Sequence, residues 1–478
     1  MKEYKKIHIF LFAFFIIGVS SLLMIKSIQS FDYWWHIKAG EYIVANKVIP
    51  FTDVFSWFGI ENNLYWHSHE WLSEVLLYLF YSVFDNFGAY IFTIGLFLSI
   101  SLLLFLLNKD KYYKNIRISI IWIILGVLIL VPIALPRPHM INLMLFLLVI
   151  YILFDYKKHK SKKIWILPLI SILWVNFHGG SSNLIYIMIF MFIITGLFDF
   201  KIGRITAKKL ENNQIKTLII VAILSILALL INPHGLDMIT YPYSNMADSY
   251  MLSFIDEWRS PDLKKFSDLF VFIEIFLIGI ILIIDKDKDI DLLDFLLEGA
   301  FIYLTFKSIR FSAFLYIISS FIIFKYINES KDKEINKQLS IGLGIIGIIL
   351  TIFSLFNISS IASQPIKEVV SNDIIQTIKE EAPKRLYNAY NVGGYLIYND
   401  IPVFVDGRAD MYSAGGNIQD AINLSSMLCN PEEIINKYKF DLFLIYKSSP
   451  LDYYFNTADN YISINEDDTF IIYKKIES

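Results

Sequence analysis

The chain opens with MKEYKKIHIFLFAFFIIGVSSLLMI (residues 1–25), in which a short basic segment precedes a long apolar run. A helix of about 20 apolar residues spans the roughly 30 Å hydrocarbon core of a bilayer. No small-residue cleavage site of the kind that ends a signal peptide follows this run, so we expect a first membrane span, near residues 8–27, that is retained. Comparable runs recur along the chain, and they predict an all-α polytopic membrane protein.

The composition agrees with a membrane location and excludes several other classes. Of the 478 residues, 56% are hydrophobic and 18% are charged, and the mean hydropathy of +0.53 is too apolar for a soluble enzyme. The net charge is −3, and Lys and Arg occur in short clusters between apolar runs, so nothing indicates nucleic-acid binding. The single cysteine, Cys429, excludes an intrachain disulfide.

The basic clusters orient the spans. The segments KDKYYKNIR, DYKKHKSKK and KIGRITAKK are expected in the cytoplasm with the N-terminus, because cytoplasmic loops carry an excess of Lys and Arg. By length we expect about eleven spans, an odd number that places the C-terminus outside. They lie near residues 8–27, 87–107, 118–135, 141–155, 164–177, 183–200, 215–232, 268–285, 292–306, 309–326 and 339–357.

A change of pattern near Pro365 predicts a second domain. Residues 365–478 alternate polar and apolar positions, with strand-like runs IPVFVD (401–406) and FDLFLIY (440–446) and helical stretches at 366–381 and 431–438. We therefore expect a membrane domain over 1–364, with a large outer loop at 28–86, followed by a small extracytoplasmic α/β domain over 365–478.

The outer loop is the first candidate site. Asp32, His36, Asp53, His67, His69 and Glu70 are interleaved with tryptophans there. Ionisable groups at a membrane surface are costly to bury unless they are paired, bound to a metal or catalytic. The alternative is an interfacial aromatic belt whose charges face water. The segment HSHEW is not a zinc-protease motif, because position 73 is Ser, and residues 69–84 are expected to form an amphipathic helix at the outer leaflet.

Cationic residues at the expected outer ends of later spans form the second candidate site. Arg310 lies in an apolar stretch and needs a counter-charge, and a lipid phosphate matches the guanidinium geometry. Arg137 and His139 lie between prolines, where snorkelling of the arginine is the alternative. His178 precedes two glycines that could instead end a helix, and the loop DEWRSPD (256–262) could instead pair its own charges.

These segments together carry a resemblance. The order DYWWHIKAGEYI, IPFTDVFSW and WHSHEWLSEVLLYLFYSVFDNFGA, then WVNFHGG, NPHG, DEWRSPD, IRF and NVGGYLIYNDIPVFVDGRADMY, resembles bacterial multi-pass proteins of the C-type glycosyltransferase superfamily, in a largely uncharacterised branch. The resemblance implies a polyprenyl-phosphate sugar donor and an acid in the first outer loop as catalytic base, here Asp32. No second acid follows Asp32, since the next residue is Tyr33.

The resemblance and the residues lead to one functional prediction. We expect a membrane glycosyltransferase of the bacterial cell membrane that transfers a sugar from a polyprenyl-phosphate donor to an extracytoplasmic acceptor. The expected catalytic residues are Asp32, Asp53 and Glu70, and a divalent cation, Mg²⁺ or Mn²⁺, is expected at Asp32, Asp53 and His69. Donor binding is assigned to His36, Arg137, His139, His178, Glu257, Trp258, Lys307 and Arg310.

Other functions remain open. A flippase for lipid-linked glycans would bind the same polyprenyl phosphates, and a non-catalytic assembly scaffold would keep the helices without needing Asp32. A secondary transporter is disfavoured, because the acids cluster at one expected face and no half-chain repeat is present. In the C-terminal domain, VDGRAD (405–410) could bind the acceptor or form a local turn with internal ion pairs.

Overall fold

The structure is a computed structural model that describes residues 2–24, 30–247, 255–284, 288–327, 333–362 and 369–476. It forms two compact units, Met1–Ser27 with Tyr90–Ser363, and Ile28–Ala89 with Gln364–Ser478. The boundary expected from the sequence places residues 28–86 in the membrane domain, whereas the structure groups that segment with the C-terminal residues. We call the two units the helical unit and the mixed unit.

The helical unit contains most of the long apolar helices. Its α-helices are Lys2–Leu23, Phe87–Lys114, Ile116–Leu130, His139–His159, Leu167–His178, Leu184–Gly196, Asn212–Ala228, Asp237–Ala247, Phe266–Ile284, Leu292–Lys307, Ser312–Ile322 and Lys333–Ala362. Short 3₁₀ segments interrupt them at Val131–Ile133, Lys162–Ile166, Gly179–Ser181, Asp256–Trp258, Ile309–Phe311 and Ile323–Lys325. A small sheet joins Phe200–Ile202, Ile205–Ala207 and Ile290–Asp291.

Among the described residues, six helical segments are long and apolar enough to cross a bilayer, so the expected count of about eleven is not confirmed. The six are Phe87–Tyr112, Ile116–Ile133, His139–His159, Lys162–Ser181, Phe266–Ile284 and Gln338–Asn357, each close to an expected span. Shorter apolar helices occupy the expected spans near 8–27, 183–200 and 215–232. The expected spans near 292–306 and 309–326 coincide with the 16-residue helix Leu292–Lys307 and the 11-residue helix Ser312–Ile322.

The first and last helices of the unit approach closely at small residues, because a Cβ added to Gly18 would lie 2.4 Å from the carbonyl oxygen of Gly347.

Two acids are buried within helices of this unit, Glu274 at 0% exposure and Glu298 at 2%. Ser319 donates a hydrogen bond of 2.9 Å to Glu298. Acids are therefore present inside this unit and not solely in the loops that the sequence marks as outer.

The mixed unit is an α/β structure. Its sheet has the order Leu386–Asn388, Leu442–Tyr446, Phe470–Lys475, Tyr461–Glu466, in which the first pair is parallel and the others antiparallel. Its helices are Tyr33–Asn46, Trp57–Glu61, Trp71–Phe84, Asn372–Glu381, Gly393–Tyr398, Ala409–Gly415, Asn417–Ser425, Pro431–Tyr438 and Pro450–Thr457. The helix expected at 431–438 and the strand expected within 440–446 are confirmed, and the start of the helix expected at 366–381 falls partly outside the described residues.

The expected strand over 401–406 is wrong, because this segment forms an isolated bridge at Val403 and no ladder. The side chain of Asn388 replaces the missing strand partner. It accepts a 2.8 Å hydrogen bond from the Phe404 amide and donates one of 2.8 Å to the Val405 carbonyl. A buried backbone needs such partners, and they hold the VDGRAD segment that follows in a defined position.

Residues of the first outer loop form part of the core of the mixed unit. The Trp57 indole donates a 3.0 Å hydrogen bond to the Leu386 carbonyl. Its ring stacks on Phe404 with centroids 5.4 Å apart. Trp57 of this loop is therefore a core side chain that packs on the C-terminal segment, and it is not part of an interfacial aromatic belt.

Candidate functional site

Asp32 begins the helix Tyr33–Asn46 as its N-cap residue and is partly exposed. Its carboxylate lies against Gly407 of the VDGRAD segment. A Cβ at position 407 would lie 2.0 Å from Asp32 Oδ1 and 2.7 Å from the Trp35 indole nitrogen. Position 407 therefore accepts no side chain without displacing the proposed base, which is the reason for a glycine there.

Next to Gly407, Arg408 forms a buried ionic network. Its guanidinium donates to Asp53 at 2.6 Å, to both Asp406 oxygens at 2.9 and 2.6 Å, and to the Tyr412 hydroxyl at 2.9 Å. The side chains of Arg408, Asp53 and Asp406 are at most 1% exposed. Burial opposes the charge, but the carboxylates of Asp406 and Asp53 raise the pKa of Arg408 well above its usual value. The Arg408 guanidinium therefore stays charged, and its hydrogen bonds join the first loop to the C-terminal segment.

The aromatic rings of the first loop complete the surroundings of Arg408. Its guanidinium carbon lies 4.7 Å from the centroid of Trp66 and 5.3 Å from that of Phe55, within cation–π distance. Both oxygens of Asp53 are used, since Oδ1 also accepts from the Phe55 amide at 2.9 Å and Oδ2 from Ser56. This arrangement suits Asp53 to positioning, and its expected catalytic role stays a prediction.

A second group in the mixed unit has the ligand types of a cation site. The imidazole of His36 lies 3.9 Å from Glu70 and 3.6 Å from Glu74, and ligand atoms of all three lie within 4.8 Å of one another. Burial, and then repulsion from Glu70, raises the pKa of the Glu74 carboxyl well above its usual value. Glu74 Oε2 is buried and has no hydrogen-bond partner among the described residues.

These three side chains fit a divalent cation. Two adjacent carboxylates that are largely out of water need a cation or protons between them. One imidazole with two carboxylates suits Mn²⁺ or Zn²⁺ better than Mg²⁺, which prefers oxygen ligands alone. The group differs from the expected set of Asp32, Asp53 and His69, whose role stays a prediction. His69 Nδ1 lies 3.0 Å from the His67 carbonyl, and its Nε2 lies 3.8 Å from Glu70.

Bound metal tests this assignment. The purified chain is equilibrated with Mn²⁺, and unbound Mn²⁺ is removed. Inductively coupled plasma mass spectrometry is then expected to detect metal that the chain has retained. His36→Ala and Glu74→Gln are each expected to weaken Mn²⁺ binding by about 100-fold or more, since losing even an outer partner of a ligand costs about 10–100-fold. His159→Ala, which changes an exposed histidine paired with Asp155, is the control. A wild-type chain without metal, or equal retention by all variants, would contradict the assignment.

The helical unit contains a separate cavity of about 210 Å³. Its lining combines apolar side chains with ionisable ones, and the ionisable residues are His139, Asp256, Glu257, Arg259, Asp268 and Arg310. They come from helix ends and short connections: the start of the helix His139–His159, the 3₁₀ segment Asp256–Trp258 with the residue after it, the first turn of the helix Phe266–Ile284, and the 3₁₀ segment Ile309–Phe311. Helix ends leave backbone groups and side chains free to face a cavity, which is the reason that these residues meet there.

Arg310 is held in this cavity by two of the residues expected to accompany it. Its guanidinium lies 3.4 Å from the His178 Nε2 nitrogen and 5.5 Å from the centroid of Trp258. The extended backbone of Ser308 ends the helix Leu292–Lys307 just before it. Lys307 is exposed and is not among the residues that line the cavity.

Arg137, Glu257 and His139 form the other side of this charged group. Arg137 donates to the Glu257 carboxylate, and His139 donates to the Ile133 carbonyl. Burial disfavours ionisation of Glu257, but the charges of Arg137 and Arg310 lower the pKa of its carboxyl to about 2. Glu257 is therefore a carboxylate that is bound to Arg137 and lies in the field of Arg310. A guanidinium has five N–H donors, so each arginine can still donate to a further anion.

The loop DEWRSPD is fastened to the segment that carries Arg310. Arg259 binds the buried carboxylate of Asp268 and lies 2.9 Å from Asp256. Its carbonyl accepts a 2.9 Å hydrogen bond from the Ile309 amide, and Ser308 donates one of 3.0 Å to the Glu257 carbonyl. Within the loop Arg259 pairs with Asp256, which agrees with the alternative that DEWRSPD pairs its own charges. Glu257 instead binds Arg137.

Sequence reasoning missed several residues of these groups. Arg408 and Asp406 form the internal ion pair that was one alternative for VDGRAD, but the sequence gives no signal that Arg408 also pairs with Asp53, which is 355 residues away. Glu74 was visible as an acid one helical turn from Glu70. Asp268 lies at the start of an apolar helix and carried no signal.

No protein-family model and no curated protein matches the chain. Its fold is similar to that of the oligosaccharyltransferase AglB from the archaeon Archaeoglobus fulgidus, a C-type glycosyltransferase. The apo crystal structure gives a TM-score of 0.53 at 10% identity, over 92% of this chain and 69% of that chain. The complex with an inhibitory peptide and a dolichol-phosphate gives 0.54 at 10% identity, over 93% and 69%.

A third solved structure of the archaeal enzyme, tethered to an acceptor peptide by a disulfide bond, gives a TM-score of 0.52 at 10% identity, over 92% and 69%. At this identity the likeness shows the fold. The chain therefore shares the overall fold of this oligosaccharyltransferase, and the helices Phe87–Tyr112 and Phe266–Ile284, with four others, make the chain a membrane protein.

Proposed function

We propose that this protein is a membrane glycosyltransferase that transfers a sugar from a polyprenyl-phosphate-linked donor to an extracytoplasmic acceptor. The observation that carries the proposal is the cavity of the helical unit, in which Arg310 lies beside His178 and Trp258 among apolar side chains. A lipid phosphate combines a negative charge with an apolar chain, and this lining matches both parts. The shared fold with an enzyme solved in complex with dolichol-phosphate supports the same assignment.

Residues in the cavity and next to it have separate roles in this proposal. Arg310 and Arg137 bind the phosphate and stabilise the negative charge that it gains when the sugar departs. Glu257 orients Arg137 through their hydrogen bond, and Trp258 packs against the guanidinium of Arg310. Lys307, which is exposed, remains a proposed contact for the outer part of the donor.

In the mixed unit, Asp32 is the proposed general base. A carboxylate at the start of a helix is partly exposed and can accept the proton of the acceptor as the sugar is transferred. Glu70 and a cation held with His36 and Glu74 would stabilise nearby negative charge. The Arg408 network fixes the loop that follows Asp32, so its contribution is to position the base.

Substitution of Arg310 tests donor binding. In proteoliposomes with a radiolabelled polyprenyl-phosphate sugar, Arg310→Ala is expected to raise the apparent KM for the donor by about 10–150-fold, since a charge-assisted contact contributes about 1.5–3 kcal/mol. Arg117→Ala, which removes an exposed arginine, is the matched control and should leave the KM unchanged. Arg259 is unsuitable as the control, because it is bound to Asp268. Equal KM values for the two variants would remove Arg310 from the donor site.

A flippase for the same lipid-linked sugar is the second candidate. The buried acids Glu274 and Glu298 favour it, because ionisable groups inside membrane helices commonly mark ion or substrate pathways. The two functions separate in one assay of the wild-type chain. Movement of labelled donor across the proteoliposome membrane without any sugar transfer would favour the flippase, and transfer would favour the enzyme.

A further inference from the structure

The helical unit contains a second cavity, of about 370 Å³, whose lining is strongly basic. Its residues are Asp110, Lys111, Lys114, Asn115, Lys158, Lys288, Phe324, Lys325 and Ile327. Five of these nine residues are lysines and one is a carboxylate. None of them belongs to the cavity that contains Arg310.

The five lysines come from four separate parts of the chain. Lys111 and Lys114 lie in the last turn of one helix, Lys158 lies in the last turn of another, Lys288 precedes a short strand, and Lys325 ends a 3₁₀ segment. Lysines at cytoplasmic helix ends are expected singly from topology alone. Their convergence on one concave surface goes beyond that rule.

Nearby carboxylates are already occupied. Asp289 pairs with Lys201 at 2.8 Å and Asp291 with Lys157 at 2.7 Å, and both of these lysines lie outside the cavity lining. Asp294 pairs at 2.8 Å with Lys325, which is one of the five lining lysines. Lys111 donates instead to the Phe321 carbonyl at 3.0 Å. Among the described residues, Lys111 and Lys158 have no ion pair of this kind. Like charges in a confined space repel one another, and a bound anion relieves that repulsion.

We propose that this basic cavity binds a phosphate group, carried either by an anionic phospholipid headgroup or by a soluble phosphate compound. Lysine is a compact cation that binds phosphate as a point charge. Basic pockets between membrane helices on the cytoplasmic side bind anionic headgroups, and Lys111, Lys114 and Lys158 come from the segments KDKYYKNIR and DYKKHKSKK that are expected on that side. The Asn115 amide adds a neutral polar group, and Phe324 and Ile327 offer apolar contact to the remainder of a lipid. This site is independent of the donor cavity and of the proposed transfer reaction.

Thermal unfolding of the full chain in a neutral detergent tests the proposal. The unfolding midpoint is followed against phosphatidylglycerol, phosphatidylcholine and inorganic pyrophosphate at constant ionic strength, because a ligand that binds the folded state raises the midpoint. Phosphatidylglycerol is expected to raise it and phosphatidylcholine is not. The double variant Lys111→Ala/Lys158→Ala should weaken the apparent affinity by about tenfold or more. Lys208→Ala/Lys209→Ala removes the same charge from exposed lysines of another expected cytoplasmic segment and should match the wild type.

The outcomes separate the two sources of phosphate. A shift with phosphatidylglycerol alone assigns a lipid headgroup, and an equal shift with pyrophosphate assigns a soluble anion. No shift of the wild type with either probe, or equal affinities for both double variants, would overturn the proposal. Should the Lys111→Ala/Lys158→Ala chain fail to fold, Lys158→Gln changes only an exposed side chain. In native mass spectrometry, that variant is then expected to retain fewer phosphatidylglycerol molecules than the wild type.

Discussion

Asp32→Asn is expected to lower sugar transfer by about 100-fold or more, while donor binding and folding stay near wild type. Asparagine keeps the size and the hydrogen-bonding capacity of aspartate but cannot accept a proton, and general-base catalysis contributes about 10²–10⁴-fold. The loss should appear in kcat and leave the apparent KM for the donor nearly unchanged, because the residue acts on the acceptor proton. The measurement is transfer from a radiolabelled polyprenyl-phosphate sugar by each purified variant in proteoliposomes, once an acceptor is found for the wild type.

Glu41→Gln is the matched control for Asp32→Asn. Glu41 lies on the same helix, is 44% exposed and pairs with Lys38 at 2.9 Å, and an exposed pair of this kind contributes little to stability. Its transfer rate should remain close to wild type. If Asp32→Asn also transferred at a near-wild-type rate, Asp32 would not be the base, and Glu70 would become the first candidate.

Arg408→Met is expected to destabilise the protein by about 3–5 kcal/mol, because it leaves two buried carboxylates without their cation. Asp53 and Asp406 cannot reach water where they lie, since both side chains are 0% exposed. Thermal unfolding in detergent, followed by tryptophan fluorescence, should show a clearly lowered midpoint. Part of the loss should return in Arg408→Met/Asp53→Asn/Asp406→Asn, which removes the charges that Arg408 neutralises.

Arg385→Met is the control for Arg408→Met. Arg385 belongs to the same unit and pairs at 2.9 Å with Glu61, which is 47% exposed. A surface pair of this kind contributes about 0–1 kcal/mol, so its unfolding midpoint should change much less. Similar midpoints for the two variants would show that the Arg408 network does not stabilise the fold.

The membrane helices could be predicted to different degrees. Six expected spans agree with the structure within a few residues, because each is a long apolar run with few charges. The helices found near the expected spans 292–306 and 309–326 are only 16 and 11 residues long, and they are not among the six. The first carries Asp294 and Glu298, and tertiary contacts with Lys325 and Ser319 are what make those acids acceptable in a helix.

The candidate sites divide in a similar way. Arg310, His139 and Glu257 stood out in the sequence as charged residues at expected helix ends, and the structure gathers them around one cavity. Neither the ion pair of Asp53 with Arg408 nor the approach of Gly407 to Asp32 could be predicted, since each joins residues from opposite ends of the chain.

The sequence by itself determined that this is a multi-pass membrane protein, where its longest spans lie, and that its unusual acids and histidines concentrate in the first loop. Transfer of a helix into lipid depends on the summed hydrophobicity of consecutive residues, so it can be read locally. The tertiary structure alone decided which charges meet. With 45 acidic and 42 basic residues available, a buried carboxylate has many partners of equal chemistry, and only the packing of distant segments selects Arg408 for Asp53 and His36 for Glu74.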